Sequence, residues 1–188
     1  IKTGSSITYL YPIDNRNENK YFIQDIIAFR GQIIHLSSLV FRKELLDNLP
    51  LFINECIVGD LPITLLLANF GYIYYFPEVM SARTRGVPNS ASERLFKGKE
   101  RAINARENFI KLYEEFDRYT DLKYHQEVCN VIRKYSYENA KDKGEYCKIK
   151  NEFSDFFSRE TIKERIRIRY PRQYERIKKV HRFLKRET

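Results

Sequence analysis

Val-Gly-Asp-Leu-Pro-Ile-Thr-Leu-Leu-Leu-Ala-Asn-Phe-Gly (58–71) is the stretch on which the fold turns. It is apolar around nearly its whole circumference and ends on Gly71, so a buried helix is predicted over 61–71. Asp60 stands at its head as an N-cap, and Pro62 is tolerated in the first turn because its missing N–H would be unpaired there anyway. The dipole stabilises a carboxylate at a helix N-terminus, which by itself justifies an aspartate. The same position is held by the scaffold yet open to a ligand. Both a capping and a chemical role are therefore open to Asp60.

Working outward, Ser-Ser-Leu-Val-Phe (37–41) is strand-like, begins on hydroxyl residues and closes on Arg42. Beyond Gly71, Tyr-Ile-Tyr-Tyr-Phe-Pro-Glu-Val-Met-Ser (72–81) predicts a strand, a proline break and a second short strand. A Gly-Val-Pro-Asn-Ser loop (86–90) follows. Upstream, residues 1–11 suit a strand, 12–19 a polar loop, and 20–30 a short amphipathic helix carrying Phe22, Ile23, Ile26, Ile27 and Phe29.

This order, with His-Leu-Ser-Ser-Leu-Val-Phe-Arg (35–42), Gly59-Asp60 and Met-Ser-Ala-Arg-Thr-Arg (80–85), resembles the acceptor-side half of bacterial family 2 glycosyltransferases over about residues 20–92. The resemblance implies an α/β protein: the C-terminal half of an A-type nucleotide-diphospho-sugar transferase fold, followed by an α-helical bundle and a basic helical tail. It implies that Asp60 is the general base, taking a proton from the acceptor hydroxyl as that oxygen attacks the anomeric carbon opposite the leaving nucleotide. His35, Ser38 and Ser90 fall on substrate-side positions, although a lone histidine beside an apolar strand also serves structurally. The family's arginine near the donor phosphates has no direct counterpart, and Arg83 or Arg85 takes its place.

The family also implies a divalent metal, Mg or Mn, held by an Asp-x-Asp against the donor diphosphate. This sequence has no Asp-x-Asp and no Gly-rich phosphate loop, so the expectation is a portion lacking the donor half, inactive alone and binding no metal itself. The implied activity is inverting transfer from a nucleotide-sugar donor to a glycan or lipid-linked acceptor, as in capsule and other bacterial surface polysaccharide synthesis. The competing expectation is a non-catalytic helical module whose basic tail binds nucleic acid or protein. No common nucleic-acid-binding signature is present to favour it.

At 188 residues the chain is long enough to bury its own core. Cys56, Cys129 and Cys147 are widely spaced, with no Cys-x-x-Cys and no histidine taken to stand at ligand spacing. Neither a disulfide framework nor a zinc site is expected, and a cytoplasmic setting fits. The longest apolar run, 61–76, is too short and too interrupted to span a bilayer.

The first part, 1–92, is read as the acceptor-side portion, 93–158 as a helical region and 159–188 as a basic amphipathic tail. Helices are predicted over 93–117, 120–139 and 143–158, divided at Tyr-Thr-Asp (119–121) and Lys-Asp-Lys-Gly (141–144). No period near 34 residues recurs, so a plain bundle is preferred to helical repeats. From Arg159 onward twelve Lys or Arg stand against four Glu, a net of +8 out of the chain's +9. Apolar residues recur there at three- and four-residue spacing and Pro171 divides them, predicting two short helices. The tail suits a solvated face on the bundle, an anionic membrane surface at which the protein sits peripherally on the inner side, or nucleic acid.

Overall fold

The computed structural model describes residues 19–30, 38–76, 78, 90, 94, 95, 97–174, 176 and 177. By its contacts the chain divides into two units, one of residues 1–90 with 111–131 and one of residues 91–110 with 132–188.

In the first unit, β1 (Lys20–Tyr21) pairs antiparallel with β2 (Ile73–Tyr74), Lys20 opposite Tyr74 and Tyr21 opposite Ile73. The Tyr75 N–H donates to the Asn19 carbonyl at 2.7 Å, continuing the pairing by one bond. Helix α1 (Ile23–Ala28) starts where Asp25 Oδ2 accepts from the Phe22 N–H at 2.9 Å, and it buries Ile23, Ile26 and Ile27. Two 3-10 turns, Lys43–Leu46 and Leu51–Glu55, lead to α2 (Asp60–Asn69). Helix α2 packs on α1 and buries Leu61, Pro62 and every residue from Thr64 to Ala68. An all-round apolar sequence becomes a helix buried on nearly every face.

The expected A-type α/β fold is corrected here. Among the described residues the sheet has two strands of two residues each, and the protein is otherwise helical. A mixed or parallel sheet needs adjacent strands to saturate each ladder. Leu39 to Arg42, predicted as a strand, lie outside any ladder; Arg42 has extended torsions (φ −74°, ψ 129°), yet nothing pairs with it as a strand. Strand-like composition set local extension without supplying a partner. The strands predicted over 1–11 and 78–81 lie outside the described residues, apart from Glu78.

From residue 99 onward helical periodicity prevails. Helix α3 (Lys99–Tyr119) buries Ala105, Phe109, Leu112, Tyr113 and Phe116, spaced three and four apart. Helix α4 (His125–Lys143) buries Val128, Val131 and Tyr135 in the same rhythm. It ends on Gly144 at φ 76°, where the Glu145 N–H reaches the Ala140 carbonyl at 2.9 Å and the Gly144 N–H reaches Lys141 at 3.2 Å. That paired closure is the left-handed glycine cap.

The helix predicted over 143–158 is two helices, α5 (Tyr146–Glu152) and α6 (Ser154–Arg159), broken at Phe153. Helix α7 (Ile162–Arg169) follows, capped by the Thr161 hydroxyl on the Glu164 N–H at 3.3 Å. Ile149, Phe153 and Ile168 gather with Tyr137 and Ala140 as the core of the second unit. Pro171 separates α7 from helical residues 171–174 and 176–177, as its sequence position predicted.

Candidate functional site

Asp60 is the first helical residue of α2, with Gly59 rather than Asp60 in the capping position. Its Oδ1 accepts from the Leu61 N–H at 2.9 Å, and its carbonyl accepts from the Thr64 hydroxyl at 2.7 Å. Oδ2 has no protein partner among the described residues, and the residue is half-buried. Oδ1 is thus occupied at the positive end of the helix while Oδ2 faces no donor. An ionised carboxylate so placed can accept a proton from a hydroxyl that reaches it.

Close by, burial pushes the Cys56 thiol above its ordinary range, and the charge of Asp60 pushes it the same way, against backbone hydrogen bonds from Val58 and Ile57. Cys56 is therefore held as a neutral thiol, consistent with an apolar filler.

Of the other residues singled out by sequence, Ser38 is exposed at the start of the segment that leads to the first 3-10 turn, and Ser90 is half-buried. Neither is hydrogen-bonded to Asp60. His35, Arg83 and Arg85 lie outside the described residues. At the head of α2 Asp60 is a single carboxylate with one oxygen engaged, and among the described residues no group of three or more His, Cys, Asp or Glu is arranged to hold a metal ion.

An aromatic surface lies at the other end of α2. Phe22, Phe70, Tyr72, Tyr74 and Phe76 are all about half exposed, with Tyr74 and Phe76 in edge contact at 5.0 Å and the Lys20 ammonium 4.9 Å from the Tyr72 ring. Ten helical residues at about 1.5 Å each separate Phe70 from Asp60 by roughly 15 Å along the axis. The aromatic surface and the carboxylate are distinct ends of one rod.

A second polar cluster escaped the sequence reading. Helix α3 closes with Asp121 and Leu122 both left-handed (φ 50° and 61°), which lets the Leu122 N–H reach the Asp117 carbonyl at 2.9 Å. The reversal delivers His125, first residue of α4, to Asp117: Nδ1 lies 2.6 Å from the buried Oδ2. One turn on, Cys129 Sγ lies 3.4 Å from His125 Nε2 and 3.8 Å from Nδ1. The signal was the His-x-x-x-Cys spacing at 125–129, which puts both side chains on one face of a helix.

No protein-family model, curated protein or solved structure matches this chain.

Proposed function

We propose that this chain carries the acceptor side of an inverting sugar transferase, with Asp60 as the base that deprotonates the acceptor hydroxyl. The observation that supports it is the Asp60 carboxylate itself: fixed through Oδ1 by the Leu61 N–H, at the head of a buried helix, with Oδ2 lacking a donor among the described residues. The acceptor O–H donates to Oδ2, the proton passes to the carboxylate as the oxygen attacks the anomeric carbon, and the nucleotide leaves from the opposite face. The residues that hold the donor lie outside those described, and no step is routed through a metal. The order 3-10 turn, Gly-Asp, buried helix, strand supports this reading without a wide sheet.

The partner proposed for the tail is an anionic membrane surface. Helix α7 is anchored by Ile168, 6% exposed, whereas Ile162, Ile166 and Tyr170 are 75%, 46% and 45% exposed and fall four residues apart. Such a stripe flanked by Lys163, Arg165, Arg167, Arg169 and Arg172 fits the boundary between acyl chains and anionic headgroups. Among the described residues no helix is long and apolar enough to cross a membrane.

Ligand-observed NMR on the 188-residue chain tests the transferase reading. Short oligosaccharide acceptors are expected to receive saturation from the protein, and nucleotide sugars with Mn²⁺ to receive little. Micromolar binding of nucleotide sugars would overturn the division between donor and acceptor residues; failure of every glycan to bind would overturn the function.

A further inference from the structure

We propose that Cys129, His125 and Asp117 form a reactive-thiol site that takes up small disulfides, converting Cys129 to a mixed disulfide. The inference is independent of the transferase reading, since it uses neither Asp60 nor any glycan.

The geometry assigns each group a part. Asp117 is 6% exposed, and as an ionised carboxylate it can only accept, so His125 Nδ1 carries the hydrogen toward Oδ2 at 2.6 Å. The lone pair is thereby left on Nε2, the nitrogen nearer the sulfur. Asp117 Oδ1 is buried and finds no hydrogen-bond partner among the described residues. A buried carboxylate that is only half satisfied is costly, and a positive imidazolium beside it offsets that cost. Nε2 is therefore the base in reach of the Cys129 proton, and the imidazolium that forms as it takes that proton stands beside the Asp117 carboxylate. Cys129 is exposed one turn into α4, open to a small disulfide from solvent.

The sulfur sits alongside the imidazole, with Nε2, the nearer nitrogen, in reach to take its proton. The thiolate then attacks one sulfur of a small disulfide, RSSR. The Cys129–sulfur bond forms as the S–S bond of RSSR breaks, and the departing thiolate takes the proton from His125 and leaves as RSH. One disulfide and one thiol are consumed, one mixed disulfide and one thiol are produced, and no outside oxidant is needed.

Acyl transfer on the same three groups is disfavoured by the helix. The N–H groups beside Cys129 are committed to backbone bonds, Val128 to the Tyr124 carbonyl at 3.0 Å and the following ones to the α4 ladder, so they make no oxyanion site. A disulfide needs none, because its leaving group is itself a thiolate.

Peptide mapping by mass spectrometry after timed exposure to oxidised glutathione at pH 7 tests the proposal within one molecule. Cys147 is an exposed internal reference, and Cys56 is half-buried. Cys129 is expected to form the mixed disulfide about tenfold faster than Cys147. His125→Gln, at a side chain 60% exposed, should bring Cys129 close to the Cys147 rate while leaving Cys147 unchanged. Equal rates at Cys129 and Cys147 in the unaltered chain, or an unmoved Cys129 rate in His125→Gln, would overturn it. Asp117 acts through His125 as a positioning residue, and nitrogen NMR of the imidazole checks this: Asp117→Asn should lose the dominance of the Nδ1–H tautomer. Retention of that tautomer would remove Asp117 from the site.

Discussion

Helix α2 and helix α7 are of similar length and opposite use. In α2 seven of ten residues are buried, and the polar groups left over, the Asp60 carboxylate and Asn69, stand at its two ends. In α7 one of eight residues is buried, Ile168, and an apolar stripe faces outward among cations. A helix enclosed on all sides can present chemistry only at its ends. A helix held at one point presents its flank, and flanks recognise surfaces rather than atoms.

Core truncation should separate the two most sharply. Leu65 is fully buried, so Leu65→Ala is expected to destabilise the first unit by about 3 kcal/mol in urea unfolding. Ile162→Ala, at a side chain 75% exposed, should cost within about 0.5 kcal/mol. Comparable losses at the two positions would erase the contrast.

Next in size is the end of α2. In an assembly that also holds the donor, Asp60→Asn keeps an acceptor oxygen for the Leu61 N–H but cannot take a proton. Transfer should fall on the order of 10²-fold with little change in melting temperature. Near-normal transfer would return Asp60 to a structural role.

These two positions also mark what the amino-acid sequence disclosed. The α2 helix was legible to within about two residues, because burial on every face leaves an unbroken apolar run and Gly71 ends it. The break before Gly144 and the one at Pro171 were legible for the same reason: glycine and proline act through local torsions. Of the sheet only β2 was legible, within the strand predicted after Gly71. Leu39, Val40 and Phe41 have strand-forming side chains, but a ladder needs a neighbour, and nothing local states whether one arrives. The division at Phe153 was hidden too, since the residues on both sides continue a helical rhythm. Asp60 was placed at a helix start from the amino-acid sequence, because helix ends are visible there. The Asp117–His125 contact was missed because it depends on a tight reversal between two helices, made by Asp121 and Leu122 without a glycine.

The flank of α7 should respond on membranes rather than in melts. The chain is expected to sediment with anionic liposomes and to release as salt shortens the screening length. Replacing Ile162 and Ile166 together with Ser should weaken partitioning by about tenfold or more. Equal retention on neutral and anionic vesicles would rule out the surface, and tighter binding to duplex DNA or RNA at physiological salt would favour nucleic acid.

The smallest effect expected is electrostatic and internal to the second unit. Burial acts to raise the Glu160 carboxyl, but hydrogen bonds from Lys141 at 2.5 Å and the Tyr137 hydroxyl at 2.8 Å outweigh it and hold the carboxyl below its ordinary range. A depressed carboxyl contributes stability above its unfolded value, about 4.3, and loses it as pH falls through the folded value. Thermal melts of Glu160→Gln through this acid range should therefore be less pH-dependent than those of the unaltered chain. Parallel curves would show that the triad contributes nothing to acid stability.

The break at Phe153 is fastened from a distance by one side chain. Arg133 of α4 grips both oxygens of Asp155 at 2.8 and 2.6 Å, donates to the Glu152 carbonyl at 2.9 Å, and lays its guanidinium 5.1 Å from the Phe156 ring. It reaches the last carbonyl of α5 and the first turn of α6 together. The bend is therefore held by a residue of α4 as well as by the two helices it joins. The span from Arg133 to Asp155 is only 22 residues, so closing it is entropically cheap. Lysine, with one point charge and no planar fork, cannot make those contacts at once, so Arg133→Lys should loosen the bend, read as faster amide exchange at Phe153 than in the unaltered chain.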